Sequence, residues 1–494
     1  MKKGLLSFQQ QGRQILFFAI ALLILRIITI GVMGIMPQDA YYYLYSEHLA
    51  LSYFDHPPMT GWMLWLFTSI LGTSIIALHA TDFLITLATV YCVWLLAQRL
   101  LPAHKAARAT LLFFSTMMVS ILSIITTPDV PLLLFWSLSL LFAHKAITQN
   151  RFLDWLLTGA MMGCAFLSKY TAVFLPAGMF LFLLLSREHR NKLWGYQFIL
   201  VCIVIALAAS PVIIWNIQND FISLKFQSGA RFQEMSWSNF KPQNFLGTIG
   251  HQLFIILPVM FTTLLLLIWK FAGRERKKQK NISTRNLFLL SFFLPMVFFF
   301  FAVSILYWVK INWMMPAYVT GIIWVSAYMA NKWMRAQYII AVVIQLLGIV
   351  YIISYPFPIR SDDTWWGWNA LSKEVLLLLK DRPGYFLAAQ DDHKTAAVLH
   401  FTSGQKVYSG NIIGRSALQF SMIDKDAPPQ LAGKNAIVLD SQPRFKDEKK
   451  SNTIHPDLQQ HFATITELDP ILIRNRKGKT LRKFLVYECK GYKQ

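Results

Sequence analysis

Cysteine is scarce in this chain, with four among 494 residues. Cys92, Cys164 and Cys202 lie in apolar runs, and Cys489 stands alone near the end of the chain. This spacing excludes a disulfide framework and the usual cysteine-ligated metal centres. The chain also lacks internal repeats and low-complexity segments, which excludes solenoid folds and a long disordered region.

Acidic residues are also few, with 25 Asp and Glu against 47 Lys and Arg, for a formal net charge of +22. Such an excess can indicate nucleic-acid binding, but here much of it lies in short loops between apolar runs. That distribution fits the positive-inside rule and contact with anionic lipid headgroups, so we expect membrane lipids and no nucleic acid as partners. With 55% hydrophobic residues in long runs, the chain is predicted to be an integral membrane protein.

Run length and hydropathy predict an all-α polytopic membrane domain over residues 1–355, with eleven transmembrane helices. The expected spans are residues 14–35, 78–100, 107–125, 130–147, 152–168, 170–186, 197–215, 249–271, 286–306, 314–332 and 336–355. Residues 59–76 form a shorter apolar run bounded by prolines and a glycine. We predict an amphipathic helix there, lying in the outer membrane interface.

The positions of Lys and Arg predict the orientation of these spans. With the N-terminus inside, the cytoplasmic loops hold most of the loop cations, while no Lys or Arg occurs between Arg26 and Arg99. The cytoplasmic set is Arg99, Lys105, Arg108, Lys145, Arg151, Arg187, Arg190, Lys192, Arg274, Arg276, Lys277, Lys278, Lys280, Arg285, Lys332 and Arg335. This asymmetry puts residues 37–77 and the tail from Pro356 on the outer face.

The tail, residues 356–494, is more polar and contains Pro and Gly at intervals. Its length suits one small domain. We predict an α/β fold with an early helix near Ala370–Leu379 and strands at the alternating runs Ala436–Leu439 and Phe484–Tyr487. The basic segment RNRKGKTLRKF is either a solvated face or a surface that lies against anionic lipid.

The first outward stretch, residues 36–62, reads MPQDAYYYLYSEHLALSYFDHPPMTGW and is rich in acidic and aromatic residues. One interpretation is a solvated loop whose tyrosines lie at the level of the lipid headgroups. The other is a catalytic loop at the membrane surface in which a carboxylate, Asp39 or Asp55, acts as a general base.

The other outward loops also place polar residues close to the ends of spans. Asp129 lies between two spans that are joined by almost no loop, so it is either paired or functional, or it caps the next helix. Lys169 either reaches towards the interface or holds a phosphate as a point charge. Further cations and an amide follow at Lys225, Arg231, Lys310 and Asn312.

This set of residues suits one type of reaction. A sugar bound through phosphate to a lipid carries a leaving group that cations must hold. An acceptor hydroxyl must lose its proton to a carboxylate as it attacks the anomeric carbon. The lipid would explain a site among transmembrane spans, and the lack of a glycine-rich phosphate loop argues against a soluble nucleotide-sugar donor.

Six ordered motifs resemble the bacterial GT-C glycosyltransferases related to the protein O-mannosyltransferases. They are PQDAYYYLYS, YFDHPPM, TPDVPLLLFW, LSKYTAVFLP, PVIIWNIQNDFISLKFQ and KINWMMPAY. The aminoarabinose transferase of lipid A is a more distant relative with a similar plan. The resemblance covers roughly the first 320 residues and is thinner in the tail.

The resemblance implies catalysis at the outer face, a polyprenyl-phosphate sugar donor and inversion at the anomeric carbon. It implies that Asp39 acts as the base or orients the acceptor and that Lys169 contacts the donor phosphate. It implies that Asp129 is an acid on the acceptor side or one that supports a contacting residue from behind. It implies that Asp55 lies in the same cavity, where it can touch a divalent metal ion in relatives. The remaining expected substrate-binding residues are Tyr42, His56, Tyr170, Lys225, Arg231, Lys310 and Asn312.

The chain departs from the group at the presumed base. The group has Asp-Glu in its first motif, whereas this chain has Gln38-Asp39. A glutamine cannot take a proton, so either Asp39 reaches the site by a local shift or Asp129 or Asp55 is the base. His56, which follows the second motif's acid, either orients a neighbour, packs under the prolines or binds metal.

The sequence therefore predicts a glycosyltransferase of the bacterial inner membrane whose acceptor is lipid A, lipopolysaccharide or another cell-envelope glycan. One alternative is a flippase or transporter for a lipid-linked sugar. That alternative predicts pairs of interrupted helices and an inverted repeat, neither of which is recognisable in the sequence. The other alternative is a non-catalytic membrane scaffold.

Overall fold

The computed structural model describes residues 2–230, 240–276, 282–391, 393–475 and 477–493. The chain is mostly helical and divides into two compact units. The first unit comprises residues 1–32, 56–60 and 79–350, and the second comprises residues 33–55, 61–78 and 351–494. The predicted division into domains 1–355 and 356–494 remains a proposal, and the second unit joins the tail to most of the first outward stretch.

Several helices are long and apolar enough to cross a membrane, as predicted. In the described ranges these are Gly12–Val32, Ile75–Leu100, Asp129–Gln149, Thr284–Val303 and Asn331–Ser354. Two bent pairs of helices also qualify if each pair is taken as one span. Shorter apolar helices are Met59–Leu71, Phe152–Ser168, Tyr170–Leu185 and Ala317–Ser326. These helices identify a multi-pass membrane protein.

The other helical segments before residue 354 are short or belong to the bent pairs. They are Pro37–Glu47, Ala103–Phe114, Met117–Leu122, Asn191–Trp194, Tyr196–Ala208, Ser210–Gln218, Ile222–Lys225, Phe226–Ala230, Pro242–Ile256 and Pro258–Arg276. The N-terminal helix as a whole is Lys2–Val32, and the 3-10 turn Tyr170–Val173 leads into Phe174–Leu185.

The span predicted at residues 107–125 is interrupted. Helix Ala103–Phe114 ends at Ser115, and Thr116 starts a new short helix by accepting a hydrogen bond from the backbone of Val119. The buried guanidinium of Arg26 donates to the Phe114 carbonyl and to Ser120, and lies 3.7 Å from the centre of the Phe114 ring. A cation at a helix C-terminus stabilises carbonyls that have no helical partner.

Two pairs of apolar helices are bent, which the sequence did not reveal. Tyr196–Ala208 and Ser210–Gln218 meet at an angle of 47°, and Pro242–Ile256 and Pro258–Gly273 meet at 113°. Proline follows each break, at Pro211 and Pro258, and removes a backbone donor from the helix. At the second break Leu257 has a φ of 68°, a left-handed conformation that ends a right-handed helix.

The tail folds into helices around a six-stranded mixed sheet. Its strands are β1 Phe386–Ala389, β2 Val407–Tyr408, β3 Ala436–Ser441, β4 Phe462–Glu467, β5 Ile471–Arg474 and β6 Thr480–Tyr492. Its helices are Trp368–Lys380, Lys394–Ser403, Gly410–Ile413, Phe420–Ile423, Ala427–Leu431 and Pro456–His461. The helix and both strands expected from the sequence lie within these elements.

The strand order is β2-β1-β3-β6-β4, and β5 also pairs with β6. The pairs β1–β2 and β1–β3 are parallel, with Leu387 opposite Val407 and Ile437, whereas β6 is antiparallel to its three partners. Parallel neighbours need a crossover, and helix Lys394–Ser403 supplies one between β1 and β2.

The first outward stretch shares a hydrophobic core with the tail. Tyr41, Tyr45 and Tyr53 are at most 2% exposed and cluster with buried residues of Trp368–Lys380, Lys394–Ser403 and the sheet. The interpretation that places these tyrosines at the lipid headgroups is therefore wrong, because their rings pack inside the protein. Gly61 permits this packing, since a Cβ there would lie 2.8 Å from the Tyr53 hydroxyl.

Candidate active site

Asp129, Lys169 and Asn312 form a buried group in the first unit, which we name the lysine cluster. Lys169 lies in extended backbone between helix Phe152–Ser168 and the following 3-10 turn. Its Nζ donates to both carboxylate oxygens of Asp129, at 2.8 Å each, and Asn312 Nδ2 donates to Asp129 Oδ2. The structure thus brings together three residues that the sequence singled out in three separate motifs.

Asp129 is not the N-cap of helix Asp129–Gln149, because Pro128 holds that position, without a side-chain capping bond. The Asp129 carboxylate instead accepts from Lys169 and Asn312. Asp129 is fully buried and Lys169 is 6% exposed. Buried charges are tolerated when they are paired and hydrogen-bonded. The Lys169 ammonium and the Asp129 carboxylate therefore stabilise each other.

The bonds between Lys169 and Asp129 also determine how many hydrogens the Lys169 ammonium can donate to a ligand. An ammonium group carries three hydrogens, so the bonds to two oxygens of Asp129 leave one for a further acceptor. Because Asp129 fixes the ammonium, little side-chain freedom would be lost when an anionic oxygen binds. A buried, positioned cation of this kind suits a phosphate group.

Asp55, Tyr41 and Tyr45 form a second group, in the second unit, which we name the tyrosine cluster. Both phenol hydroxyls donate to Asp55 Oδ1, the Tyr41 hydroxyl at 2.8 Å. Tyr41 also accepts a bond from the backbone N–H of Gln419, whose Oε1 accepts from the N–H of Phe54. Burial, and then the negative charge of Asp55, raise the pKa of Tyr41 and Tyr45 well above the ordinary value, so both remain hydrogen-bond donors.

Asp39, the expected base, is fully buried on the first turn of helix Pro37–Glu47. Its Oδ2 accepts a 2.9 Å bond from the backbone N–H of Met36, as in a capping box. This carboxylate therefore stabilises the start of its own helix. Tyr42 is buried on the same helix, with its ring 5.4 Å from those of Tyr41 and Tyr45.

The other predicted substrate-binding residues are more dispersed. The Tyr170 hydroxyl lies 2.8 Å from Ser223 Oγ, which fixes the turn beside Lys169. Lys225 and Lys310 are exposed, and His56 is half-buried. Arg231 lies outside the described residues.

Asp55 is the residue for which the resemblance implies contact with a metal ion. Within the described ranges no three His, Cys, Asp or Glu side chains group in a way that could hold a metal ion. Asp55 Oδ1 accepts from two phenol hydroxyls, which act here as donors and not as ligands. The metal role of Asp55 stays a prediction.

Sequence reasoning missed two polar residues, one inside an apolar helix and one that contacts the tyrosine cluster. Asp82 is 2% exposed in an apolar helix and accepts a 2.7 Å bond from Thr126; an acid inside an apolar run was the available signal. Gln419 contacts the tyrosine cluster from the tail, 378 residues after Tyr41. No local pattern marks such a residue.

Comparison with known proteins gives matches of sequence and of fold. Residues 55–215 match the family described as dolichyl-phosphate-mannose-protein mannosyltransferase. The chain is 24% identical over 325 residues to the lipid A galacturonosyltransferase RgtD of Rhizobium johnstonii, a match that spans 65% of this chain and 66% of that relative.

The fold resembles that of a solved protein, ArnT. ArnT from Cupriavidus metallidurans in the apo state superposes with a TM-score of 0.62 at 13% identity, over 96% of this chain and 98% of ArnT. ArnT bound to undecaprenyl phosphate gives the same TM-score at 14% identity, with the same coverage of both chains. The resemblance predicted from the motifs is thereby confirmed: the chain is similar over residues 55–215 to the dolichyl-phosphate-mannose-protein mannosyltransferase family, similar in sequence to a lipid A galacturonosyltransferase, and similar in fold to ArnT.

Proposed function

We propose that this chain is an integral-membrane glycosyltransferase. It transfers one sugar from a polyprenyl-phosphate donor to lipid A, lipopolysaccharide or another envelope glycan, with inversion. The similarity to a lipid A galacturonosyltransferase supports the acceptor class, and a similar fold that binds undecaprenyl phosphate supports the donor class.

The lysine cluster is the observation that carries this proposal. A buried lysine held by Asp129 and Asn312 at the ends of apolar helices is suited to the phosphate of a lipid-linked sugar. In the proposed reaction an acceptor oxygen attacks the anomeric carbon from the face opposite the phosphate, and the bond from that carbon to the phosphate oxygen breaks. The polyprenyl phosphate leaves with its negative charge stabilised by Lys169.

A carboxylate must take the proton of the acceptor hydroxyl. Asp129 is the weakest candidate because Lys169 and Asn312 already occupy its oxygens. Asp39 and Asp55 remain, and we favour Asp55. Its Oδ1 accepts from two phenol hydroxyls, whereas Asp39 serves its own helix terminus.

The finer topology is part of the proposal. We infer eleven spans, an N-terminus in the cytoplasm, a bacterial inner-membrane location and a periplasmic α/β domain at residues 356–494. The distribution of Lys and Arg supports this orientation. The helices Pro37–Glu47 and Met59–Leu71 are then the two interfacial helices of the first periplasmic loop.

The test is transfer by the purified full-length protein in lipid nanodiscs. Polyprenyl-phosphate-linked galacturonic acid and other polyprenyl-phosphate sugars are offered with lipid A and total envelope lipids, and mass spectrometry follows the added sugar mass. Lys169→Met, Asp55→Asn, Asp39→Asn and Asp129→Asn are run in parallel. Activity in the wild type that is lost in Asp55→Asn supports the proposal. No product from any pair of donor and acceptor would count against it.

The bent helix pairs at Ala209 and Leu257 favour a second candidate, a flippase for a lipid-linked sugar. Interrupted helices are common in transporters, where unwound backbone lines a substrate path. In sealed vesicles a flippase moves the lipid-linked sugar between leaflets without a change of mass, whereas a transferase consumes it. Translocation without product would place the flippase first. The absence of both translocation and product would favour a scaffold.

A further inference from the structure

Gln38 has two polar side-chain atoms, and within the described residues only one of them makes a hydrogen bond. Its Nε2 donates a 2.8 Å bond to Asp363 Oδ1. Its Oε1 is shielded from solvent and has no hydrogen-bond partner in the described part of the chain. A buried carbonyl oxygen without a partner costs free energy, and such an atom in a folded protein calls for an explanation.

The orientation of the Gln38 amide follows from the chemistry of Asp363. Asp363 Oδ2 lies 3.0 Å from Lys394 Nζ. Burial alone would raise the pKa of Asp363, but the Lys394 ammonium and the bond from Gln38 hold that pKa below its ordinary value. An ionised carboxylate only accepts hydrogen bonds, so the amide must present Nε2 to Asp363 and turn Oε1 away from it.

The loop that carries Asp363 is held firmly on both sides. Asp362 accepts a 2.9 Å bond from the buried Arg482 on β6 and another from Ser441 on β3. Trp366 stacks on Tyr355, with ring planes 2° apart and centres 5.0 Å apart. Asp363 is therefore held in a fixed position. A residue that orients another side chain, here the Gln38 amide, must itself be fixed.

Gln38 lies on the same stripe of helix Pro37–Glu47 as the tyrosine cluster. Positions 38, 41 and 45 follow the three- and four-residue spacing of one helix face, and Tyr41 and Tyr45 bind Asp55 from that face. The unused oxygen thus belongs to the helix face that also holds the favoured carboxylate.

We propose that Gln38 is a substrate-binding residue whose Oε1 accepts a hydrogen bond from a sugar hydroxyl, and that Asp363, anchored by Lys394, is the positioning residue for its amide. At position 38, where the related group has an acidic residue, this chain thus keeps a hydrogen-bond acceptor but has no general base. The inference rests on the proposed function for the nature of the ligand. The hydroxyl belongs to the donor sugar or to the glycolipid acceptor, and the two are distinguished by separate titrations.

The test measures binding to the full-length protein in nanodiscs by native mass spectrometry. The three probes are polyprenyl-phosphate-linked galacturonic acid, lipid A, and undecaprenyl phosphate without a sugar. Gln38→Ala is expected to weaken one of the two sugar-bearing probes by about 3- to 10-fold, the value of one neutral hydrogen bond, and to leave undecaprenyl phosphate unchanged. Asp363→Ala is expected to weaken the same probe, since the amide then loses its orientation.

Asp457→Asn is the matched control, because Asp457 also accepts a bond from a basic side chain, Arg415, in the same unit. It should leave the binding of all three probes unchanged. Wild-type affinity of Gln38→Ala for both sugar-bearing probes would overturn the inference, as would an equal loss for all three probes, which would assign Gln38 to folding alone. Because binding is read without turnover, a wild type that transfers no sugar would count against the proposed function and not against Gln38.

Discussion

The lysine cluster and the tyrosine cluster hold a buried aspartate in two different ways. In the first unit Asp129 accepts from an ammonium and an amide. In the second unit Asp55 accepts from two phenol hydroxyls. The first arrangement pairs the carboxylate with a cation, whereas in the second two neutral hydroxyls donate to one carboxylate oxygen.

The comparison separates two roles for residues of the same type. A carboxylate paired with lysine positions a cation, and that cation can meet a phosphate. Phenol hydroxyls orient a carboxylate as hydrogen-bond donors without bringing a positive charge to it. Removing charge from each cluster should therefore have unequal effects on stability and on turnover.

The largest expected effect is that of Lys169→Met, which leaves the Asp129 charge buried without its cation. We expect a loss of about 3–5 kcal/mol in stability and no detectable transfer. Thermal unfolding in nanodiscs measures the loss of stability, and mass spectrometry of the product measures transfer. Lys332→Met, at an exposed lysine of the same unit, should change neither.

A double-mutant cycle sharpens this prediction. Lys169→Met with Asp129→Asn removes both charges, so its loss of stability should be smaller than the sum of the two single losses. Additive losses would mean that the two side chains do not stabilise each other.

Asp55→Asn should chiefly reduce turnover. The asparagine oxygen still accepts from Tyr41 and Tyr45, so the unfolding temperature should change little, while transfer falls at least about 100-fold if Asp55 is the base. Asp469→Asn, at an almost fully exposed side chain, is the control. Full activity in Asp55→Asn would move the role of base to Asp39.

Gly61→Ala tests the packing that supports the tyrosine cluster. The added methyl group would lie 2.8 Å from the Tyr53 hydroxyl and 2.9 Å from Tyr45 Cβ, so we expect a loss of about 1–3 kcal/mol in stability. Gly250→Ala is the matched control, because it lies in a helix with no neighbour near the added atom. Equal unfolding temperatures for the two variants would contradict the packing described here.

The smallest effect concerns pH and the contact between Glu47 and His400. The bond from Glu47 at 2.8 Å, opposed by burial, raises the pKa of His400. A raised pKa contributes stability that is complete below the unfolded value of about 6.5 and is lost as the pH rises through the folded value. Glu47→Gln should therefore lower stability by about 0.2–1 kcal/mol in mildly acidic solution and have little effect in alkaline solution. A loss that is independent of pH would contradict this assignment.

The sequence predicted several elements because their signals are local. Apolar runs indicated the membrane helices, and the alternating runs at Ala436–Leu439 and Phe484–Tyr487 fell within β3 and β6. Prolines at Pro211 and Pro258 were visible, yet proline alone does not reveal a bend of 47° or 113°. That angle depends on which neighbours satisfy the exposed backbone groups.

The sequence by itself determined that this is a membrane protein and that its motifs are those of a glycosyltransferase group, since composition, hydropathy and motif order reside in contiguous residues. Only the tertiary structure decided which polar side chains pair with one another. Asp129 meets Lys169 across 40 residues and Gln38 meets Asp363 across 325. Such pairs form when packing of distant segments buries a polar group that must then find a partner, and no periodicity along the chain records which partner it finds.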